Sequence, residues 1–193
     1  MVMLISTTGQ PNHSTGGRSV PGSAAPANLA GEKLKEFDLH LHLHTCSHAY
    51  LHLPTFQLAA NQLTAGAIYQ YNLQHLSYLA SLDLSSNLLE GSLSPPSFDL
   101  FPPNLRTLDL SLNSISRLAS NTFIPLSRLT RLSLEGNAVE KVEDGAFSGL
   151  LSLTSLDLSH NSIVTLATDS LAGLPSLTHL NLAHNHLQVG RRN

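Results

Sequence analysis

The sequence predicts a solenoid: an α/β horseshoe of stacked coils, with a parallel sheet on its concave side and irregular returns on its convex side. Three observations carry that prediction. Asn61, Asn87, Asn113, Asn137, Asn161 and Asn185 are spaced 26, 26, 24, 24 and 24 residues apart. Each follows leucine-type residues that alternate with polar ones, as in "LRTLDLSLNSI" and "LTSLDLSHNSI". Leucine is also the main core material, because aromatics make up only 5% of the 193 residues and tryptophan is absent. A fixed period of this length marks a stack of one supersecondary unit, in which each coil covers the apolar face its neighbour leaves open.

From the N-terminus, residues 1–32 are rich in Gly, Pro, Ser, Thr and Ala and read as a disordered leader. Residues 33–52 imitate the start of a coil: Leu34, Phe37 and Leu39 fit the frame, but His42 takes the asparagine slot. This segment reads as a degenerate N-terminal edge or cap. The array proper is expected over 53–193. "LPTFQLAANQL" fits the frame with Phe56 in one leucine slot, and "LASLDLSSNLL" fits it fully. In the third coil Leu105, Leu108, Leu110 and Ile115 surround Asn113, and in the fourth Leu129, Leu132, Leu134 and Val139 surround Asn137. Leu153, Leu156, Leu158 and Ile163 do the same for Asn161, and Leu177, Leu180, Leu182 and Leu187 for Asn185.

Within each frame Leu-x-Leu alternates at period 2, which predicts a short strand with leucines on one face. The asparagine follows where the chain turns inward. Its amide both donates and accepts, so it can satisfy backbone groups that the turn leaves unpaired inside. Pro95 to Leu105, "PPSFDLFPPNL", carries four prolines and reads as a convex-side or edge loop. The sixth coil breaks off at "HLQVGRRN", so its leucine layer is expected to lie uncovered, and the chain reads as a fragment or isoform of a longer protein.

The frame L-x-x-L-x-L-x-x-N-x-L, six times in register, resembles the leucine-rich repeat family. The return segments refine the resemblance. Leu118, Phe123 and Leu126, then Val142, Phe147 and Leu150, then Leu166, Leu171 and Leu174 repeat at a period of 24. They resemble the typical, extracellular subfamily, which includes toll-like receptor ectodomains, matrix proteoglycans and receptors that tether latent transforming growth factor beta. The resemblance implies a ladder of stacked asparagines and a protein-interaction module. It also implies an extracellular or cell-surface setting, in a receptor or matrix protein. Cysteine-rich caps, usual in that subfamily, have no counterpart in a chain whose one cysteine is Cys46.

With leucines inward, the outward strand positions should line the concave face. The expected partner-binding residues there are Thr107, Asp109, Arg131, Ser133 and Glu135, continuing through Ser155, Asp157, His179 and Asn181. Arg131 and Glu135 stand out as the charged pair of the fourth coil. Asp83, Asp109 and Asp157 share a column but read as solvent-facing strand filling, since general acid–base work needs a sheltered carboxyl with a tuned pKa. The chain has no P-loop, G-x-G-x-x-G, G-x-S-x-G or H-E-x-x-H. No catalysis, cofactor or small-molecule substrate is therefore expected.

A net charge of −3 argues against a nucleic-acid binder and a polybasic membrane tether. The longest apolar run, Met1 to Ile5, is too short for a secretory signal or a membrane span. An intracellular adaptor or scaffold is thus the first alternative to the receptor reading. The second is metal binding by His40, His42, His44, Cys46 and His48, which alternate in "LHLHLHTCSHAYLH". A strand would spread these side chains about 6.6 Å apart at every second residue, too far for all five to converge, so the stretch reads mainly as a boundary of the array. His160 and His184 share a column one repeat apart and read as solvent-facing polar residues, with a pH-sensitive contact as the alternative.

Overall fold

A computed structural model describes residues 27–33, 54–66, 73–94, 101–166 and 169–188. Its strands are β1 (Ala27–Asn28), β2 (Thr55–Gln57), β3 (Ser81–Asp83), β4 (Glu90–Leu93), β5 (Thr107–Asp109) and β6 (Ser114–Leu118). They continue with β7 (Arg131–Ser133), β8 (Lys141–Val142), β9 (Ser155–Asp157), β10 (Thr165–Leu166) and β11 (His179–Asn181). A 3-10 turn spans Leu73–His75. The chain is a solenoid in which one parallel sheet runs in the order β1-β2-β3-β5-β7-β9-β11 and a second runs in the order β10-β8-β6-β4.

The first sheet is in strict register. Phe56, Leu82, Leu108, Leu132, Leu156 and Leu180 align across neighbouring strands, and their flanking residues align likewise. Each interior strand buries its central residue and keeps its flanks at least partly accessible. Leucines from strand and return meet in one continuous core, in which Phe123 and Phe147 stack with ring centroids 6.0 Å apart. The core thins at the C-terminal end: Leu156 is 1% exposed, while its counterpart Leu180 is 38% exposed.

The asparagines lock successive coils together. Asn161 Nδ2 donates to the carbonyls of Leu134 (2.9 Å), Leu158 (3.1 Å) and Ser159 (3.1 Å), and its Oδ1 accepts the Val139 N–H at 2.9 Å. Asn87, Asn113 and Asn137 repeat the pattern. Asn61 donates back to Leu29 and Leu58, and Asn185 to Leu158 and Leu182. One side chain thus satisfies carbonyls of two coils and an N–H of the preceding return. Those backbone groups are buried and would otherwise be costly.

Just before each asparagine the backbone passes through the left-handed region. The φ values are 54° at Ala60, 53° at Ser86, 54° at Leu112, 65° at Gly136, 54° at His160 and 55° at His184. Five of these six residues are not glycine, so each carries strain that only the surrounding hydrogen bonds hold in place. The N–H groups of the first five, Ala60 to His160, supply such bonds, as from Leu112 to the Glu135 carbonyl (2.8 Å) and from His160 to that of Ala183 (2.9 Å).

Two differences from the sequence expectation have physical causes. The sheet starts at Ala27–Asn28, within the stretch 1–32 whose composition reads as a disordered leader. There Leu29 is buried in a leucine slot, its N–H bonds the Gln57 carbonyl (2.8 Å), and Gly31 takes the left-handed position at 73°. One leucine in a glycine- and alanine-rich context leaves no alternation to read. The returns are also more regular than expected, because β4, β6, β8 and β10 pair as a parallel sheet of their own. The segment 34–53, with His40, His42, His44, Cys46 and His48, lies outside the described residues, as do Pro95 to Leu100 of the proline-rich loop.

Candidate functional site

The outward positions of the first sheet form two rows across the coils. One runs Thr55, Ser81, Thr107, Arg131, Ser155, His179; the other runs Asn28, Gln57, Asp83, Asp109, Ser133, Asp157, Asn181. Seven strands about 4.8 Å apart give a surface roughly 29 Å wide, open enough for a folded partner. The register that buries the leucines dictates these rows, because successive side chains of a strand point to opposite faces.

The aspartates of the second row are not simply solvent-facing. Asp83 Oδ1 accepts the Ser85 N–H (3.0 Å) and Oγ (2.7 Å), and Asp109 Oδ1 accepts the Ser111 N–H (2.9 Å). Asp157 Oδ1 accepts the Ser159 N–H (2.8 Å) and Oγ (2.6 Å). Asn28 and Asn181 cap the same way, accepting the N–H of Ala30 (3.0 Å) and Ala183 (3.1 Å). Each is an Asx turn that closes its strand and starts the inward bend. Ser111 and Ser159, outward by alternation, are buried by this bend. The D-x-S spacing in "LDLS" is the sequence signal for the turn.

At Asp157, burial opposes ionisation. The Ser159 hydroxyl and N–H, Asn181 Nδ2 (3.0 Å from Oδ2) and the charge of His160 together outweigh it, holding the carboxyl below its ordinary value. A group that is ionised and already satisfied is a poor general base. A threonine ladder borders the strands: Thr130, Thr154 and Thr178 Oγ1 donate to the carbonyls of Arg106 (2.9 Å), Thr130 (3.0 Å) and Thr154 (3.0 Å). Threonine recurring at a period of 24 is its signal in the sequence.

β7 breaks the pattern. Ser133 stands where its neighbours carry a capping aspartate, and Arg131 and Glu135 are exposed. No hydrogen bond or ion pair engages either charged head among the described residues, whereas Asp157 and Asn181 are tied to each other. Arg131 sits between Thr107 and Ser155, so a cation and an anion project from the middle of a face whose aspartates are committed to hydrogen bonds. Among the described residues no group of three or more His, Cys, Asp or Glu is placed to hold a metal ion.

Comparison with known proteins agrees with this architecture. A family model described as leucine rich repeat matches residues 97–139 and 127–187. The mouse protein named transforming growth factor beta activator LRRC32 is 44% identical over 73 residues, 37% of this chain and 11% of that protein. The crystal structure of a TLR13–ssRNA13 complex contains a chain that superposes with a TM-score of 0.53 at 27% identity, covering 75% of this chain and 23% of that one. The matched region thus spans a minor part of each relative.

Proposed function

Given that the chain is a leucine-rich repeat protein, we propose that its concave sheet is a protein-binding surface centred on Arg131 and Glu135. The observation that carries this reading is the uncommitted charge pair at β7. Elsewhere along the sheet the charged side chains Asp83, Asp109 and Asp157, with Asn181, close turns and are already hydrogen-bonded. A free cation and anion on a rigid, preorganised face supply electrostatic complementarity at little ordering cost.

The partner class we favour is a secreted growth factor, on the strength of the segment shared with a transforming growth factor beta activator. The same likeness supports a receptor or matrix setting outside the cell or at its surface. No described helix is long and apolar enough to cross a membrane. RNA, which accompanies TLR13 in the superposed complex, is disfavoured here by charge. Asp83, Asp109, Asp157 and Glu135 line the described face against Arg131, and phosphate backbones are held mainly by lysine and arginine. The site has no catalytic role in this reading.

Surface plasmon resonance with the immobilised chain tests the proposal. Transforming growth factor beta, in latent and mature forms, and single-stranded RNA are the analytes, at about 0.15 M salt. Saturable binding of the protein and none of the RNA is expected. RNA binding with a steep salt dependence, and no response to either form of the growth factor, would overturn it.

A further inference from the structure

We propose that His160 and His184 form a two-ligand site for a divalent transition cation of the zinc class, bridging the last two coils. The imidazoles stack with centroids 4.2 Å apart and planes 18° from parallel. The backbone fixes where the two side chains start. Both residues occupy the left-handed position, at 54° and 55°, and the His160 N–H donates to the Ala183 carbonyl at 2.9 Å. The residue after each histidine is a ladder asparagine. Asn161 and Asn185 both donate to the Leu158 carbonyl, so the two Cα positions are fixed within one hydrogen-bonded network.

Neither ring nitrogen of the pair has a hydrogen-bond partner among the described residues. His179 differs, because its Nδ1 lies 2.8 Å from Thr178 Oγ1. In its neutral form each imidazole of the pair offers an uncommitted nitrogen lone pair, and neutral imidazole is the commonest protein ligand for such cations. Two metal–nitrogen bonds of about 2.0–2.1 Å at a tetrahedral angle place the nitrogens about 3.3 Å apart. The lone pairs lie in the ring planes, so both exposed rings leave the stack by opposed rotation about the broad sp³–sp² torsion to converge on one cation. Water completes the coordination. The bridge joins the well-packed fifth coil to the sixth, where Leu180 is 38% and Leu187 41% exposed, so binding should tighten the end of the array.

The test uses the full chain with zinc chloride, read by calorimetric titration and by amide hydrogen exchange over residues 179–188. His160→Asn and His184→Asn each remove a ligand while keeping a residue that tolerates the left-handed backbone. Circular dichroism checks that both variants are folded. A third variant replaces His40, His42, His44 and His48 by Gln and Cys46 by Ser, which separates this site from the histidine stretch. The expected result is a zinc-binding event that slows exchange in 179–188, weakens about tenfold or more in either asparagine variant and persists in the third. Unchanged binding and exchange in both asparagine variants, loss only in the third, or an equal response to magnesium would each overturn the proposal.

Discussion

The asparagine ladder works because one primary amide reaches groups that no other side chain of its size reaches together. Asn161 Nδ2 meets three carbonyls while Oδ1 accepts an N–H from the preceding return, all inside the core. Asn161→Ala should therefore cost about 1–3 kcal/mol in denaturant unfolding, since it strands buried backbone groups. Asn185→Ala should cost less, because Asn185 is half-buried at the thin end of the array. Equal losses would mean that the amides contribute through something other than burial. Asp157 is a second residue with a readable energy. Its folded pKa lies below the unfolded one, so its contribution is fully present above an unfolded value of about 3.9 and is lost as pH falls through the folded value. The stability gap between the wild type and Asp157→Asn should be present at about pH 6 and narrow as pH falls below the unfolded value of about 3.9. A gap that does not narrow on acidification contradicts that assignment. Leucine and asparagine positions were legible in the sequence because they recur at fixed spacing. The left-handed column was not, because Ala60, Ser86, Leu112, His160 and His184 are not residues that announce positive φ.

At the scale of elements, the concave strands are short, three residues in β5 and β9, yet legible through their leucine alternation. The second sheet was hidden because β8 and β10 hold two residues each, and two residues carry no periodicity. β1 was hidden for the related reason that it offers Leu29 alone. The returns are packed as closely as the strands. Gly149 has φ of 88°, and a Cβ there would come within 2.7 Å of the Ile124 Cα and 2.9 Å of its carbonyl oxygen. Backbone cannot move aside as a flexible side chain can. Gly149→Ala should destabilise the array by about 1–3 kcal/mol, read as a lowered urea midpoint with native circular dichroism. An unchanged midpoint would mean that the fourth and third returns are not in contact at this point.

The whole molecule is a scaffold whose repeated chemistry is nearly all spent on itself. Leucines fill the core, asparagines bridge the coils, threonines border them, and aspartates close the turns. The candidate face was legible in outline, since strand alternation alone named Thr107, Asp109, Arg131, Ser133, Ser155, Asp157, His179 and Asn181 as outward. What alternation could not show is which of these polar groups are already committed. Asp157 and Asn181 hold each other, whereas Arg131 and Glu135 hold nothing among the described residues. The most direct test compares three chains for affinity to transforming growth factor beta: the wild type, Arg131→Glu with Glu135→Arg, and Glu140→Lys with Lys141→Glu. The last pair reverses exposed charges on the other sheet, at β8. The concave-face account predicts about a tenfold loss of affinity in the first variant, roughly 1.4 kcal/mol, and wild-type affinity in the second. Equal affinity in all three chains, or a loss confined to the β8 reversal, would contradict it.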